Sequence, residues 1–296
     1  MKTRLQRTMT GLATGLAAGL FGGLLALGLT TGVQAADLAE NDGLNGTMWL
    51  QTSVEFKANA LSTYRLAGLQ LDAAIADKSW TAVPGEQMGD YMAKPPAIIL
   101  DVDETVLDNS VYQAWVVTQY KYYSGKTWGP FVNDVLSRPI PGSLDFIKMA
   151  HGKGVKIFYV TNRKAHLEDG TRKNLAKYGY PVDTDEDTVL TRGEKDEWKS
   201  SKKSPRRKHV AANYRVLMVF GDNFGDFVDG YKGSITERQA LYEKNDALWG
   251  TKWYMIANPS YGSWESAAFG HNWRKPGAER RQMKHDALEA WGGVKK

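Results

Sequence analysis

The chain has 296 residues, 42% of them hydrophobic, which suits one large domain or a core with an appended subdomain and argues against a fibre or a disordered chain. Its formal charge of +5 falls to about +2 once the leader described next is removed, too mild a balance for a nucleic-acid polymer as partner. With no cysteine, the sequence excludes disulfides, thiolate metal sites, a cysteine nucleophile and a lipid-bearing cysteine.

Residues 1–35 read as a signal peptide. Lys2, Arg4 and Arg7 give a basic start, residues 11–30 carry no charge, and Val33-Gln34-Ala35 supplies the small residues that a signal peptidase reads. Cleavage is expected after Ala35. A run of about 20 apolar residues is also long enough to span a bilayer, but the glycines, threonines and A-x-A-like end favour removal. The mature protein is therefore expected in the periplasm or secreted, with no stable membrane anchor.

Residues 36–47 form a polar lead-in. From Met48 to Asp77, Val54, Ala58, Leu61, Tyr64, Leu71 and Ile75 recur at helical intervals, so residues 36–94 are expected to form a helical N-terminal subdomain. Ala97–Leu100 is a continuous apolar run, as in a strand buried on both faces of a parallel sheet. Val155–Val160, Val216–Phe220 and Trp253–Ile256 repeat that pattern, and helical segments are expected around 142–152, 165–178 and 205–213. Strands alternating with helices give an α/β fold, a Rossmann-like parallel sheet flanked by helices, over residues 95–270, followed by a C-terminal tail, 271–296.

Polar clusters follow three of these strands: Asp101-Val102-Asp103, Thr161-Asn162-Arg163, and Gly221-Asp222-Asn223-Phe224-Gly225-Asp226. Ligands of open α/β sheets bind beyond the carboxyl ends of the strands, so the three clusters are expected to converge. Of two carboxylates spaced two apart, one can attack phosphorus and the other shuttle a proton. Asp222 and Asp226 add hard oxygen donors of the kind Mg²⁺ prefers, and a divalent cation relieves the repulsion among four aspartates. Thr161 and Lys203 offer a hydroxyl and a point charge to phosphate oxygens. Thr161 also suits the N-cap of the helix expected after it.

In order and spacing these residues resemble the motifs of haloacid-dehalogenase (HAD) phosphatases: Asp101–Thr105 the D-x-D-x-T signature, Thr161 the second motif, Lys203 the third and Gly221–Asp226 the fourth. The strings Leu100–Trp115 (LDVDETVLDNSVYQAW), Gly221–Phe227 (GDNFGDF), Asn258–Glu265 (NPSYGSWE) and Trp49–Glu55 are similar, more narrowly, to the class C acid phosphatases of the lipoprotein-e type. The resemblance implies a HAD-type sheet with a smaller helical subdomain and a cap segment inserted at about 106–141. It implies Asp101 as nucleophile, Asp103 as acid/base and as a metal ligand through its backbone carbonyl, Asp222 as a direct ligand of Mg²⁺ and Asp226 nearer its second shell. Thr161, Asn162, Lys203 and Tyr261 are implied to bind the substrate. That substrate is a small-molecule phosphomonoester, often a nucleoside monophosphate.

The chain departs from the family in lacking a lipid-attachment cysteine, in having Asn223 where a second acidic residue is frequent, and in carrying Lys202 beside Lys203. Lys203 is chosen for its place before Ser204-Pro205-Arg206-Arg207. The basic run Lys199–His209 reads as a solvated loop opening a helix, and the five histidines read as surface residues. The rivals are phosphoryl transfer to an alcohol, dehalogenation, and a non-catalytic extracytoplasmic carrier of nucleotide or haem. Homo-oligomerisation stays open.

Overall fold

The computed structural model describes residues 41–292, so the expected leader lies outside the described residues. Helices α1 (Leu44–Thr52) and α2 (Val54–Ala76) come first, separated at Ser53, whose hydroxyl accepts from Phe56 N–H at 3.0 Å and starts the second helix. Strand β1 (Pro96–Leu100) follows, then a short ribbon of β2 (Leu107–Asp108) and β3 (Arg138–Pro139) enclosing α3 (Ser110–Thr118) and α4 (Gly125–Asn133). The remaining core elements are α5 (Ser143–Gly152), β4 (Lys156–Lys164), α6 (Glu168–Tyr178), β5 (Val189–Arg192), α7 (Ser204–Asn213), β6 (Arg215–Gly221), α8 (Ile235–Lys244) and β7 (Trp253–Met255). Two helices end the described chain, α9 (Ser263–Ala267) and α10 (Gly277–Asp286). Among these residues no helix is long and apolar enough to cross a membrane.

Five strands form one parallel sheet in the order β5-β4-β1-β6-β7, which meets the α/β expectation. β1 is central and apolar throughout because both of its faces are covered. Ile98 and Leu100 face one way, into a cluster with Phe56, Tyr64 and Leu71 of α2 and Phe146 and Ile147 of α5. Ala97 and Ile99 face the other way, onto Val210 and Ala211 of α7 with Phe158, Val219 and Trp253. The helices expected to form an N-terminal subdomain thus cover the sheet itself: the apolar stripe of α2 is buried against β1 and β6 instead of closing a core of its own. Arg215, at the start of β6, secures the end of that helix by donating to the carbonyls of Ala74 (3.0 Å), Ile75 (2.9 Å) and Asp77 (2.6 Å).

The segment 106–141 carries a separate apolar cluster of Tyr112, Trp128, Phe131 and Val132, completed by Leu167. From β1 the chain runs outward to β4 and β5 on one side and then to β6 and β7 on the other. The strand order therefore reverses beside β1, and the crevice beyond Leu100 is where such a sheet holds its ligand.

Candidate active site

β1 delivers Asp101 to that crevice. Its N–H donates to Phe220 O at 2.9 Å, continuing the ladder one residue past the strand, and the residue is only 6% exposed. The chain then reverses tightly, with Val106 and Leu107 N–H both returning to Val102 O and Glu104 held at φ 54°. Asp101 and Asp103 both line the same cavity of about 900 Å³.

β6 brings the second set of carboxylates. Beyond Gly221 the loop folds on itself: Asn223 N–H donates to Asp226 Oδ2 at 2.9 Å, and Gly225 N–H donates to Asn223 Oδ1 at 3.2 Å. Gly221 is required here, since a Cβ would lie 2.7 Å from Asp226 Cγ and closer still to its Cβ and Oδ2. Asn258, in the loop after β7, donates to Asp222 Oδ2 at 2.7 Å and orients it. Lys203, at the N-terminal boundary of α7 and 3% exposed, pairs with Asp101 and, at 2.6 Å, with Asp226. Its neighbour Lys202 is exposed.

Crowding sets the electrostatics. Burial pushes the Asp101 carboxyl up to about 7, with Asp226 and Asp103 adding to the rise and Lys203 opposing it. Asp222 is raised well above the ordinary carboxylate range by burial and by the charges of Asp226 and Asp101, against Asn258 and Lys203. One oxygen from each of Asp101, Asp222 and Asp226 lies within 4.8 Å of the others. Three hard oxygen donors so placed, with one lysine among them, fit a divalent cation. The carboxylate of Asp103 lies outside that group. Its Oδ1 accepts from Arg163 Nε at 2.9 Å and from Asn109 Nδ2 at 2.8 Å.

Of the other expected residues, Asn162, Lys203 and Tyr261 line the cavity with Asp101, Asp103, Asp222 and Asp226, whereas Thr161 is fully buried and off its wall. Thr161 lies inside β4, which runs on to Lys164, so it caps no helix; its hydroxyl accepts from Arg163 N–H at 3.0 Å. Arg206 of α7 grips this stretch through Thr161 O and, at 2.7 Å, Asn162 Oδ1. Tyr261 donates to Glu104, a buried carboxyl raised well above its usual range by burial and by Asp103, Asp222 and Asp108.

Several site residues carry no motif of their own. Arg163 is buried and joins Asp103, Thr171 (3.2 Å) and Asn109 (3.2 Å), with its guanidinium 5.5 Å from the Trp128 ring centre. The available signal was its place in the polar cluster Thr161-Asn162-Arg163 that follows an apolar run. His271, expected at the surface, lines the cavity: its Nε2 donates to Gly233 O at 3.0 Å, and its Nδ1 is hydrogen-bonded to Ser266 Oγ at 2.7 Å. The expected tail also supplies Trp273 and Arg280 to the wall, facing a chamber that Tyr122, Tyr123 and Trp128 also line.

The profile of the HAD superfamily, subfamily IIIB (acid phosphatase), matches residues 46–264. The solved structure of the class C acid phosphatase from Bacillus anthracis is 35% identical, the match covering 84% of this chain and 97% of that one with a TM-score of 0.73. The structure of the same enzyme with tungstate bound matches equally well.

Proposed function

The chain belongs to the acid phosphatases of HAD subfamily IIIB, and from that premise we propose that it is an exported, Mg²⁺-dependent enzyme that hydrolyses phosphomonoesters, 5′-nucleotides among them, through a phosphoryl group carried on Asp101. Membership of a phosphomonoesterase family sets aside the carrier and the dehalogenase. A carboxylate oxygen of Asp101 attacks phosphorus, the bond to the ester oxygen breaks, and Asp103 gives its proton to the departing alcohol. Asp103 then takes a proton from water, whose oxygen attacks the same phosphorus, and inorganic phosphate leaves as Asp101 is restored.

Arg163 and Asn109 fix Asp103 through Oδ1, so that Oδ2 carries the proton. Lys203 balances charge that builds on the phosphoryl oxygens while it orients Asp101. Asp101, Asp222 and Asp226, with the backbone of Asp103, are the residues that would hold Mg²⁺; when bound, the ion neutralises charge on the phosphoryl oxygens. Tyr261, on the cavity wall, offers a ring to a nucleobase. After cleavage behind Ala35 the enzyme works in the periplasm or outside the cell.

The observation that carries this reading is the meeting of Asp101, Asp222, Asp226 and Lys203 at the carboxyl ends of β1 and β6, with Asp103 on the same cavity. Phosphate release from p-nitrophenyl phosphate and from 5′-AMP, by protein starting at Ala36, tests it. Turnover that is lost in EDTA and restored by Mg²⁺ is expected. Turnover indifferent to EDTA rejects the metal assignment, and turnover of p-nitrophenyl phosphate without AMP rejects the nucleotide assignment.

A further inference from the structure

The cavity that holds the aspartates is also lined by Tyr122, Trp273 and Arg280. Arg280 sits in the first turn of α10. Its guanidinium carbon lies 5.1 Å from the ring centre of Trp273, 5.8 Å from that of Phe269 and 6.0 Å from that of Tyr122. Its Nε is buried with no hydrogen-bond partner, and it pairs with no carboxylate among the described residues. Nearby cations differ: Lys275 pairs with Glu279, Arg281 with Asp42, and Lys284 with Asp42 and Glu265. Lys232, on the same cavity, also lacks a carboxylate partner among the described residues, its Nζ lying 3.3 Å from Ser201 Oγ.

At the aspartate end of the cavity the cations are neutralised, Lys203 by Asp101 and Asp226 and Arg163 by Asp103. Arg280 has no such counter-charge. A guanidinium held against aromatic faces keeps its in-plane N–H groups for a ligand, and its fork matches carboxylate or phosphate oxygens while losing little side-chain entropy on binding.

We propose that Arg280, supported by Lys232, forms a second anion subsite in this cavity, so that the enzyme selects phosphomonoesters whose leaving group bears a further phosphate or carboxylate. This rests on the phosphatase reading. The aspartates perform the chemistry on one phosphoryl group, and Arg280 reads the charge on the rest of the molecule.

The test compares kcat/KM within matched pairs at fixed ionic strength: 5′-AMP against adenosine 3′,5′-bisphosphate, and phenyl phosphate against 4-carboxyphenyl phosphate. The first pair probes a phosphate as second anion and the second a carboxylate. Wild type is expected to favour the doubly anionic member of at least one pair by roughly tenfold, the size of one charge-assisted hydrogen bond. The preference resides mainly in KM and shrinks as salt rises. Arg280→Met abolishes the ratio, and Arg280→Lys retains part of it. Equal rates within both pairs for wild type, or a ratio unchanged in Arg280→Met, overturn the subsite while leaving the phosphatase reading intact. No turnover of any of the four compounds overturns both. If Arg280→Met does not fold, the wild-type ratios and their salt dependence decide.

Discussion

Replacing Lys203 with methionine keeps most of its apolar stem and deletes the ammonium that faces Asp101 and Asp226, both nearly inaccessible. Removing one partner of a buried ion pair costs roughly 3–5 kcal/mol, because the remaining charge is stranded away from water. For a chain of this size each kcal/mol moves Tm by roughly 2–4 °C, so Lys203→Met should melt roughly 6–20 °C below wild type at pH 8 in EDTA. The loss should be smaller at pH 5, where a stranded carboxylate takes up a proton instead. Adding Asp101→Asn removes one of the stranded charges, and the double variant should be more stable than Lys203→Met alone. Saturating Mg²⁺ should also narrow the gap, since the ion restores positive charge beside the same carboxylates. Melts of the four proteins (wild type, each single variant and the double) with and without metal measure this. A loss below about 1 kcal/mol at pH 8, or a double variant no more stable than the lysine variant, refutes the claim that Lys203 is what keeps these carboxylates together.

Other outcomes follow from the same contacts. With Asp101 near 7 when folded against 3.8 ordinarily, the native chain keeps a proton between those values that the unfolded chain has released. The metal-free protein should therefore lose stability as pH rises through that window, by up to ~4 kcal/mol above pH 7, with a shallower loss in Asp101→Asn and in Mg²⁺; Tm measured from pH 4 to 8 checks this. Gly221→Ala forces its methyl group into Asp226, so metal affinity read by titration and turnover should both fall, by roughly tenfold or more as for other residues that support a metal site. Arg163→Met frees Asp103 from the guanidinium that fixes it, and kcat should drop by roughly 10²–10⁴, the range of a general acid–base contribution, with KM moving far less. Amino-terminal sequencing of protein recovered from culture fluid or periplasm should begin at Ala36, and protein beginning at Met1 would exclude the proposed cleavage.

How much of this could be read from the chain depended on whether a residue's surroundings were local. β1, β4, β6 and β7 were legible because strands buried on both faces leave continuous apolar runs, and the aspartates were legible because they stand where those runs stop. β5 was not anticipated: at four residues, Val189–Arg192 offers too short an apolar run to stand out from the polar loop before it. The choice of Lys203 over Lys202 rested on the helix expected next, and α7 does start at Ser204, which leaves Lys203 at the boundary, turned to Asp101, and Lys202 in solvent. Arg163 was expected in the crevice but without a role, and His271 and Arg280 escaped altogether, because their roles come from partners distant in sequence. Arg163 meets Asp103 across 60 residues and His271 meets Gly233 across 38. The helices before β1 showed their apolar stripe in the sequence, but only the folded chain tells that the stripe covers the sheet.

The central claim is that Asp101 carries the phosphoryl group, and the most direct measurement is the mass of the peptide containing Asp101 after rapid acid quenching during turnover of p-nitrophenyl phosphate. The account predicts a fraction of that peptide heavier by one phosphoryl group, absent in Asp101→Asn and before substrate is added. Sustained turnover with no phosphorylated Asp101 peptide at any quench time, or turnover that persists in Asp101→Asn, would contradict it.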